Sequence, residues 1–259
     1  MNNNTLHIID EKLKSFDQIS LSAMDGVKLM DRIDSKFVIS ADDLLPLLKQ
    51  IGNDYYVLTI GKNRIFNYRT EYFDTPELNM FSDHHNGKLN RFKIRQREYV
   101  ESDTRFLEVK FKSNKGRLIK ERVEITTGKD ITFNSFIKKH TPYNPDLLKV
   151  TLVNHFNRFT LVDRNLQERA TVDLNLSFNN LCDCIELNGV CIIELKQNKS
   201  TRESSFYNAL KKERLRPDSF SKYCMGIALL NHQGKSNNFK RNIGLVHKLG
   251  KVETGTYSE

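Results

Sequence analysis

The sequence predicts an α+β protein: a closed antiparallel β-barrel with helices packed on the outside. Two observations lead there. Five stretches alternate charged or polar residues with mostly apolar ones at the period-two spacing of a strand. Short polar turns join many of the strand-like runs, and helix-like runs are inserted between them. Some eight or more antiparallel strands arranged this way suggest a closed or nearly closed barrel.

The alternation is clearest at residues 90–99, where Arg91, Lys93, Arg95 and Arg97 share one strand face and Phe92 and Ile94 share the other. Glu108, Lys110 and Lys112 oppose Leu107, Val109 and Phe111. Lys120, Arg122 and Glu124 oppose Ile119, Val123 and Ile125. Arg169, Thr171, Asp173 and Asn175 oppose Ala170, Val172, Leu174 and Leu176, while Glu194 and Lys196 oppose Ile193 and Leu195. A sheet packed on helices ordinarily shows water a polar face, with charges paired across strands. Here the sign is one-sided, and neighbouring cations repel. A bound polyanion removes that repulsion. Alternation alone does not say whether the charged face points inward or outward.

In chain order, residues 10–25 have helix-compatible spacing, and 31–39 read as a strand with Arg32, Asp34 and Lys36 on one face. Ser40 caps a helix over 41–50, with Asp42 and Asp43 favouring its N-terminal dipole. Residues 55–60 and 64–73 read as a hairpin around 61–63. Pro76 opens a short helix that Asn86-Gly87 closes. A meander of strands follows at 89–100, 104–113 and 117–127, then a helix at 131–140. Strands resume at 149–162 and 167–178. Residues 183–187 and 190–196 read as a hairpin on Asn188-Gly189. Helices at 203–214 and 219–231 close the domain, the second with an apolar stripe of Phe220, Tyr223, Ile227 and Leu230. Residues 232–259 read as a basic, flexible tail. The chain thus divides into a domain over 1–231 and that tail.

The 259 residues suit one large domain or two small ones. A net charge of +9 calls for anionic partners: nucleic acid, phosphorylated small molecules, polyphosphate or acidic lipid. The four cysteines fit no zinc motif, and Cys191 and Cys224 read as small buried hydrophobes. No leader peptide and no apolar run near the roughly 18 residues of a membrane span is evident, so a cytoplasmic protein with reduced thiols is expected.

Six segments, in order, resemble a known family: residues 31–37 (DRIDSKF), 72–78 (YFDTPEL), 84–97 (HHNGKLNRFKIRQR), 107–110 (LEVK), 193–196 (IELK) and 220–223 (FSKY). They look like the VTC domain, the polyphosphate polymerase branch of the CYTH or triphosphate tunnel metalloenzyme superfamily. The resemblance runs from about residue 16 to residue 231. It implies a closed tunnel with the charged faces inward, and transfer of the γ-phosphoryl group of ATP to polyphosphate with manganese or magnesium. It also implies that Lys36, Arg95, Arg97, Lys110, Lys120, Arg158 and Arg169 hold the triphosphate and the product chain. Lys222 would join them from the closing helix, and Glu194 would be the principal metal ligand. Arg32, Arg91, Lys93, Lys112, Arg122 and Lys196 are expected to contribute to substrate binding. Glu108, Glu124 and Asp173 are either further metal ligands or partners of neighbouring cations, with pairing favoured for Glu108.

Hydrolytic relatives begin with Glu-x-Glu-x-Lys, whereas this chain has Arg32-x-Asp34-x-Lys36. Fewer carboxylates argue against plain triphosphatase or cyclase chemistry, and the polymerase branch shares the change. The expected partners are ATP, polyphosphate and pyrophosphate or orthophosphate, with membrane coupling left to a separate partner. A regulatory domain that binds polyphosphate or inositol polyphosphate is the first alternative, and a nucleic-acid-binding module the second. Against the last stands the placing of Phe92 and Phe111 away from the cations. His84-His85 reads as a helix-end pair, and Tyr72 and Tyr223 as packing residues with hydrogen-bonded hydroxyls.

Overall fold

A computed structural model describes residues 3–25, 32–125, 132–180, 182–198, 204–230 and 236–256. The expected strand ends at 31 and 126–127, the helix ends at 131, 203 and 231, and tail residues 232–235 and 257–259 lie outside them.

The elements run α1 (Asn3–Leu13), β1 (Asp17–Ile19), α2 (Leu21–Asp25), β2 (Arg32–Ser40), α3 (Ala41–Ile51), β3 (Tyr55–Leu58), β4 (Phe66–Asp74) and α4 (Asn79–His85). They continue through β5 (Arg91–Tyr99), β6 (Thr104–Lys112), β7 (Leu118–Ile125), α5 (Phe133–His140), β8 (Lys149–Asp163) and β9 (Glu168–Asn179). Last come β10 (Asp183–Asn188), β11 (Val190–Asn198), α6 (Ser205–Lys212), α7 (Lys222–Leu230), α8 (Lys240–Leu249) and β12 (Lys251–Thr256). Every strand pair is antiparallel except β1 with β3. One continuous ladder runs β7-β6-β5-β4-β8-β9-β11-β2.

The apolar strand faces lie under the helices. Phe37, Ile39, Phe159, Leu161, Ala170, Val172, Leu174, Ile193 and Leu195 pack with α1, α3 and α6, all of these strand residues essentially inaccessible. Ile94, Leu107 and Val109 pack with α4 and α5. Their charged neighbours therefore take the opposite face. That face curls. Lys36 on β2 donates to the Phe220 carbonyl at 3.0 Å, and Lys93 on β5 donates to Ser221 Oγ at 2.9 Å. In the ladder β4, β8, β9 and β11 lie between those two strands. A flat sheet would hold β2 and β5 about 24 Å apart at the usual strand spacing, yet both lysines reach adjacent residues.

Several expectations need correction. Residues 10–25 are not one helix: α1 ends at Leu13, and β1 and α2 follow. The runs expected to form a hairpin around 61–63 make only an isolated bridge between Ile60 and Asn63, and β3 and β4 pair instead with different parts of β8. The Asn188-Gly189 turn joins β10 to β11, but both pair with β9 rather than with each other, at opposite ends of it. Between those ends Asn175 takes a left-handed φ of 49°, a conformation asparagine tolerates better than most residues. The register shifts across β8 and β9 there. This bulge turns Leu176 and Phe178 to the inner face, against α7, whereas strict alternation had left Leu176 with Leu174. Nor is α7 amphipathic, since Tyr223 through Leu230 are all buried.

The tail is the largest difference. Residues 240–256 form α8 and β12, Val246 is completely buried, and β12 pairs with β10 over six residues. A few apolar contacts and a six-residue strand pairing order this segment despite its low apolar content.

Candidate functional site

The inner face gathers cations from seven strands and one helix. The β5 row of Arg91, Lys93, Arg95 and Arg97 pairs in register with Lys112, Lys110, Glu108 and Phe106 of β6. Lys120 stands opposite Lys110, and Arg122 opposite Glu108. Arg158 of β8 faces Asp173 of β9. On β11, Glu194 lies beside Lys36 and Thr171, and Lys196 beside Asp34 and Arg169. The structure describes Arg32 only as the start of β2, opposite Asn198.

Glu108, Asp173 and Glu194 are carboxylates of the described inner face that pair with this array. Glu108 is almost inaccessible, accepting from Arg95 Nη2 at 2.5 Å with one oxygen and pairing with Lys120 through the other. Burial favours the neutral acid there, but Arg95, Arg97 and Lys120 outweigh it and hold the carboxyl well below the usual range. Asp173 accepts from Arg158, with Nη2 to Oδ2 at 2.9 Å, and pairs also with Lys222 at the start of α7. Its ionised form is likewise favoured by these cations against burial. Both carboxylates have both oxygens engaged by cations. Glu194 differs: Lys196 Nζ lies 3.1 Å from its Oε1, and Lys196, Lys36 and Arg158 outweigh burial to keep it ionised. Glu124 is exposed on β7.

Several inner-face cations have no carboxylate within ion-pair distance among the described residues. Lys36 and Lys93 bond instead to the Phe220 carbonyl and Ser221, and Arg97 and Lys110 are two others. Arg97 is 7% exposed and donates Nε to Thr70 Oγ1 at 3.2 Å. Lys110 lies among Arg95, Arg97 and Lys120, and Arg95 together with burial pushes its ammonium down to about 5. Burial with Lys36 and Arg91 beside it brings Lys93 down to about 8. Burial with Arg158 nearby does the same to Lys222. Such depressions mark a site short of negative charge.

The sequence reading missed the aromatics of this face. Tyr68 and Phe156 stack with centroids 5.1 Å apart, and the guanidinium of Arg97 lies 5.7 and 5.6 Å from their centroids. Arg158 lies over the same rings, Lys222 over Phe156 at 4.6 Å, and Arg122 over Phe106 at 4.8 Å. The alternation of β4 and the pairing of Tyr68 with Phe156 would have found them had the two strands been aligned. Phe92 and Phe111 do pack together on the outer side, but the cationic face as a whole is not free of aromatics.

The segment that enters α7 is held at several points. Tyr223 donates its hydroxyl to Asp74, whose oxygens also accept from the backbone of Thr75, Met80 and Phe81 at the start of α4. Tyr72 and Tyr223 stack at 5.1 Å. His84 and His85 end α4 against Phe239.

Fold and face together define an α+β domain with a curled antiparallel sheet and a cation-rich inner face. The chain belongs to the VTC domain family, whose model matches residues 31–231. No curated protein matches it by sequence. Among solved structures it is similar to an adenylate cyclase candidate from Bacillus halodurans, with 14% identity, a TM-score of 0.48, and coverage of 81% of this chain and 97% of that one. It is also similar to an adenylyl cyclase candidate from Hippeastrum described as having a dominant triphosphatase activity, with 13% identity, a TM-score of 0.49, and coverage of 76% and 94%. Among the described residues no helix is long and apolar enough to cross a membrane.

Among the described residues no three His, Cys, Asp or Glu side chains converge as a metal cage. Glu194 offers the kind of hard carboxylate oxygen that a divalent cation would need, with phosphate and water oxygens completing such a shell. Glu108 and Asp173 serve as ion-pair partners instead.

Proposed function

We propose that the protein is a polyphosphate polymerase-type phosphotransferase, moving the γ-phosphoryl group of ATP to a polyphosphate chain inside a closed tunnel. The observation that carries this reading is the buried cationic array in which Arg97 and Lys110 lack a carboxylate partner. A folded protein holds such charges at a cost that a bound polyanion removes.

Phosphoryl transfer needs in-line positioning and stabilised charge more than covalent help. Arg95, Arg97, Arg158 and Arg169 offer planar forks for phosphate oxygens, while Lys36, Lys110, Lys120 and Lys222 offer point charges. Each pair at 4 Å contributes about 4 kcal/mol at an effective dielectric near 20, before desolvation. Arg91, Lys93, Lys112, Arg122 and Lys196 extend the binding path, with Arg32 assigned from the family resemblance alone. Glu194 would hold manganese or magnesium, which when bound neutralises phosphate charge. The nucleophile is a phosphate terminus, so the protein need supply none.

A polyphosphate or inositol-polyphosphate sensor is the second reading, favoured by the complete engagement of Glu108 and Asp173 with cations. Nucleic acid fits less well, because Phe156 is 3% exposed and is covered by cations rather than presented to a base. Incubation with ATP and either manganese or magnesium, following polyphosphate and orthophosphate separately, tests the assignment. Polymer formation supports the polymerase, polyphosphate binding without synthesis under either metal supports the sensor, and orthophosphate release alone contradicts both.

A further inference from the structure

We infer that Asn242 and Phe239, beyond the stretch matched by the family, are positioning residues for three lysines of the inner face. Residues 215–221 carry no helix or strand, so isolated backbone bonds and side-chain contacts hold them. On one side this segment meets the inner face. The Asp218 amide donates to the Lys36 carbonyl at 2.7 Å, the Phe220 carbonyl accepts from Lys36 Nζ, and Ser221 Oγ accepts from Lys93 Nζ. Lys222 then reaches Asp173. On the other side it meets the C-terminal segment. Asn242, 6% exposed, donates Nδ2 to the Ser219 carbonyl at 2.7 Å, and Arg241 pairs with Asp218 at 3.2 Å.

The C-terminal segment is itself anchored. Phe239 packs on Phe81, His84 and His85 with centroids 5.9, 6.4 and 5.5 Å away, and Asn238 Nδ2 donates to the His85 carbonyl at 2.7 Å. Val246 fills the core under α7, and β12 locks onto β10. The irregular segment is thus held between an anchored helix and three lysines. Asn242 sets its backbone, and Phe239 sets α8.

The geometric inference stands without the functional reading. Its effect on ligand affinity rests on that reading, and one experiment separates the two. Lysine acylation followed by mass spectrometry is compared in the full-length protein and in Asn242→Leu. Labelling is expected to rise several-fold at Lys36, Lys93 and Lys222 and to stay unchanged at Lys110 and Lys120, which the segment does not touch. Arg241→Ala, at an exposed site, keeps the test available if Asn242→Leu does not fold; the same pattern is expected at smaller amplitude. Unchanged labelling of the three lysines in the folded variants overturns the inference. Tripolyphosphate titration of the same preparations is expected to show roughly tenfold weaker binding in Asn242→Leu. If the wild-type protein binds no tripolyphosphate, the functional reading falls, while the labelling decides the positioning role by itself.

Discussion

Glu108 on β6 stands directly opposite Arg95 on β5 and joins it, at 2.5 Å, to Lys120 on β7. One buried carboxylate thus holds together a row that would otherwise repel itself. Glu108→Gln leaves Arg95 buried without its counter-ion. Breaking a buried pair from one side typically costs about 3–5 kcal/mol, and the half-exposed Lys120 adds little to that. Denaturant unfolding is expected to show such a loss, recovered in part by tripolyphosphate, which restores negative charge. Wild-type stability in the variant, or no rescue by tripolyphosphate, would count against this account.

Arg97 behaves differently, because it has no carboxylate to strand. Arg97→Ala gives up the Thr70 bond and the packing on Tyr68 and Phe156 but relieves repulsion with Arg95 and Arg158. It is therefore expected to cost the ligand-free protein less stability than Arg95→Ala does. The same change should weaken tripolyphosphate binding by at least tenfold, the loss of one charge-assisted contact of about 1.5–3 kcal/mol. Arg95→Ala should destabilise more, by exposing Glu108 without its partner. Thermal melting and calorimetric titration of both variants check the contrast. Equal behaviour of the two would contradict the assigned pairing.

Lys110 gives the pH prediction. Its ammonium is pushed down to about 5, so it is neutral at pH 7 in the ligand-free protein. The sign follows from linkage: the cost of the charged form is complete below the folded value. It is relieved as pH rises from there toward the usual lysine value near 10.4. A polyanion that neutralises Arg95 and Arg97 raises the group again, so binding takes up a proton. Calorimetry at pH 7 in buffers of different ionisation enthalpy should show about one proton more taken up by wild type than by Lys110→Met. Identical uptake in the two proteins would refute the role of Lys110.

The rows of β5, β6 and β7 were legible because every second side chain is charged and the turns between them are short. The β8–β9 region was less so. Nothing local marks Asn175 as a left-handed residue, so the switch that sends Leu176 inward toward α7 escaped a period-two reading. Tyr68 and Phe156 escaped because their significance depends on β4 and β8 lying side by side, a pairing between residues far apart in the chain. The C-terminal segment was read as a flexible tail from its low apolar content. Its order comes from specific contacts such as buried Val246, Phe239 on the α4 histidines, and Asn242 on the Ser219 carbonyl. The family resemblance placed Lys222 among the site cations, but its pairing with Asp173 depends on the fold.

Glu194 bears most directly on the central proposal, that the cationic face binds polyphosphate and transfers phosphoryl groups, with this carboxylate the residue that would hold a divalent metal to neutralise phosphate charge. Glu194→Gln preserves the side-chain size and removes the charge. The decisive measurement is polyphosphate synthesis from ATP and manganese by this variant, with tripolyphosphate affinity determined on the same preparation. The account predicts affinity equal to or above wild type, because the cationic array is intact and one repelling charge is gone, together with loss of metal-dependent synthesis. Synthesis at the wild-type rate with unchanged affinity would contradict it.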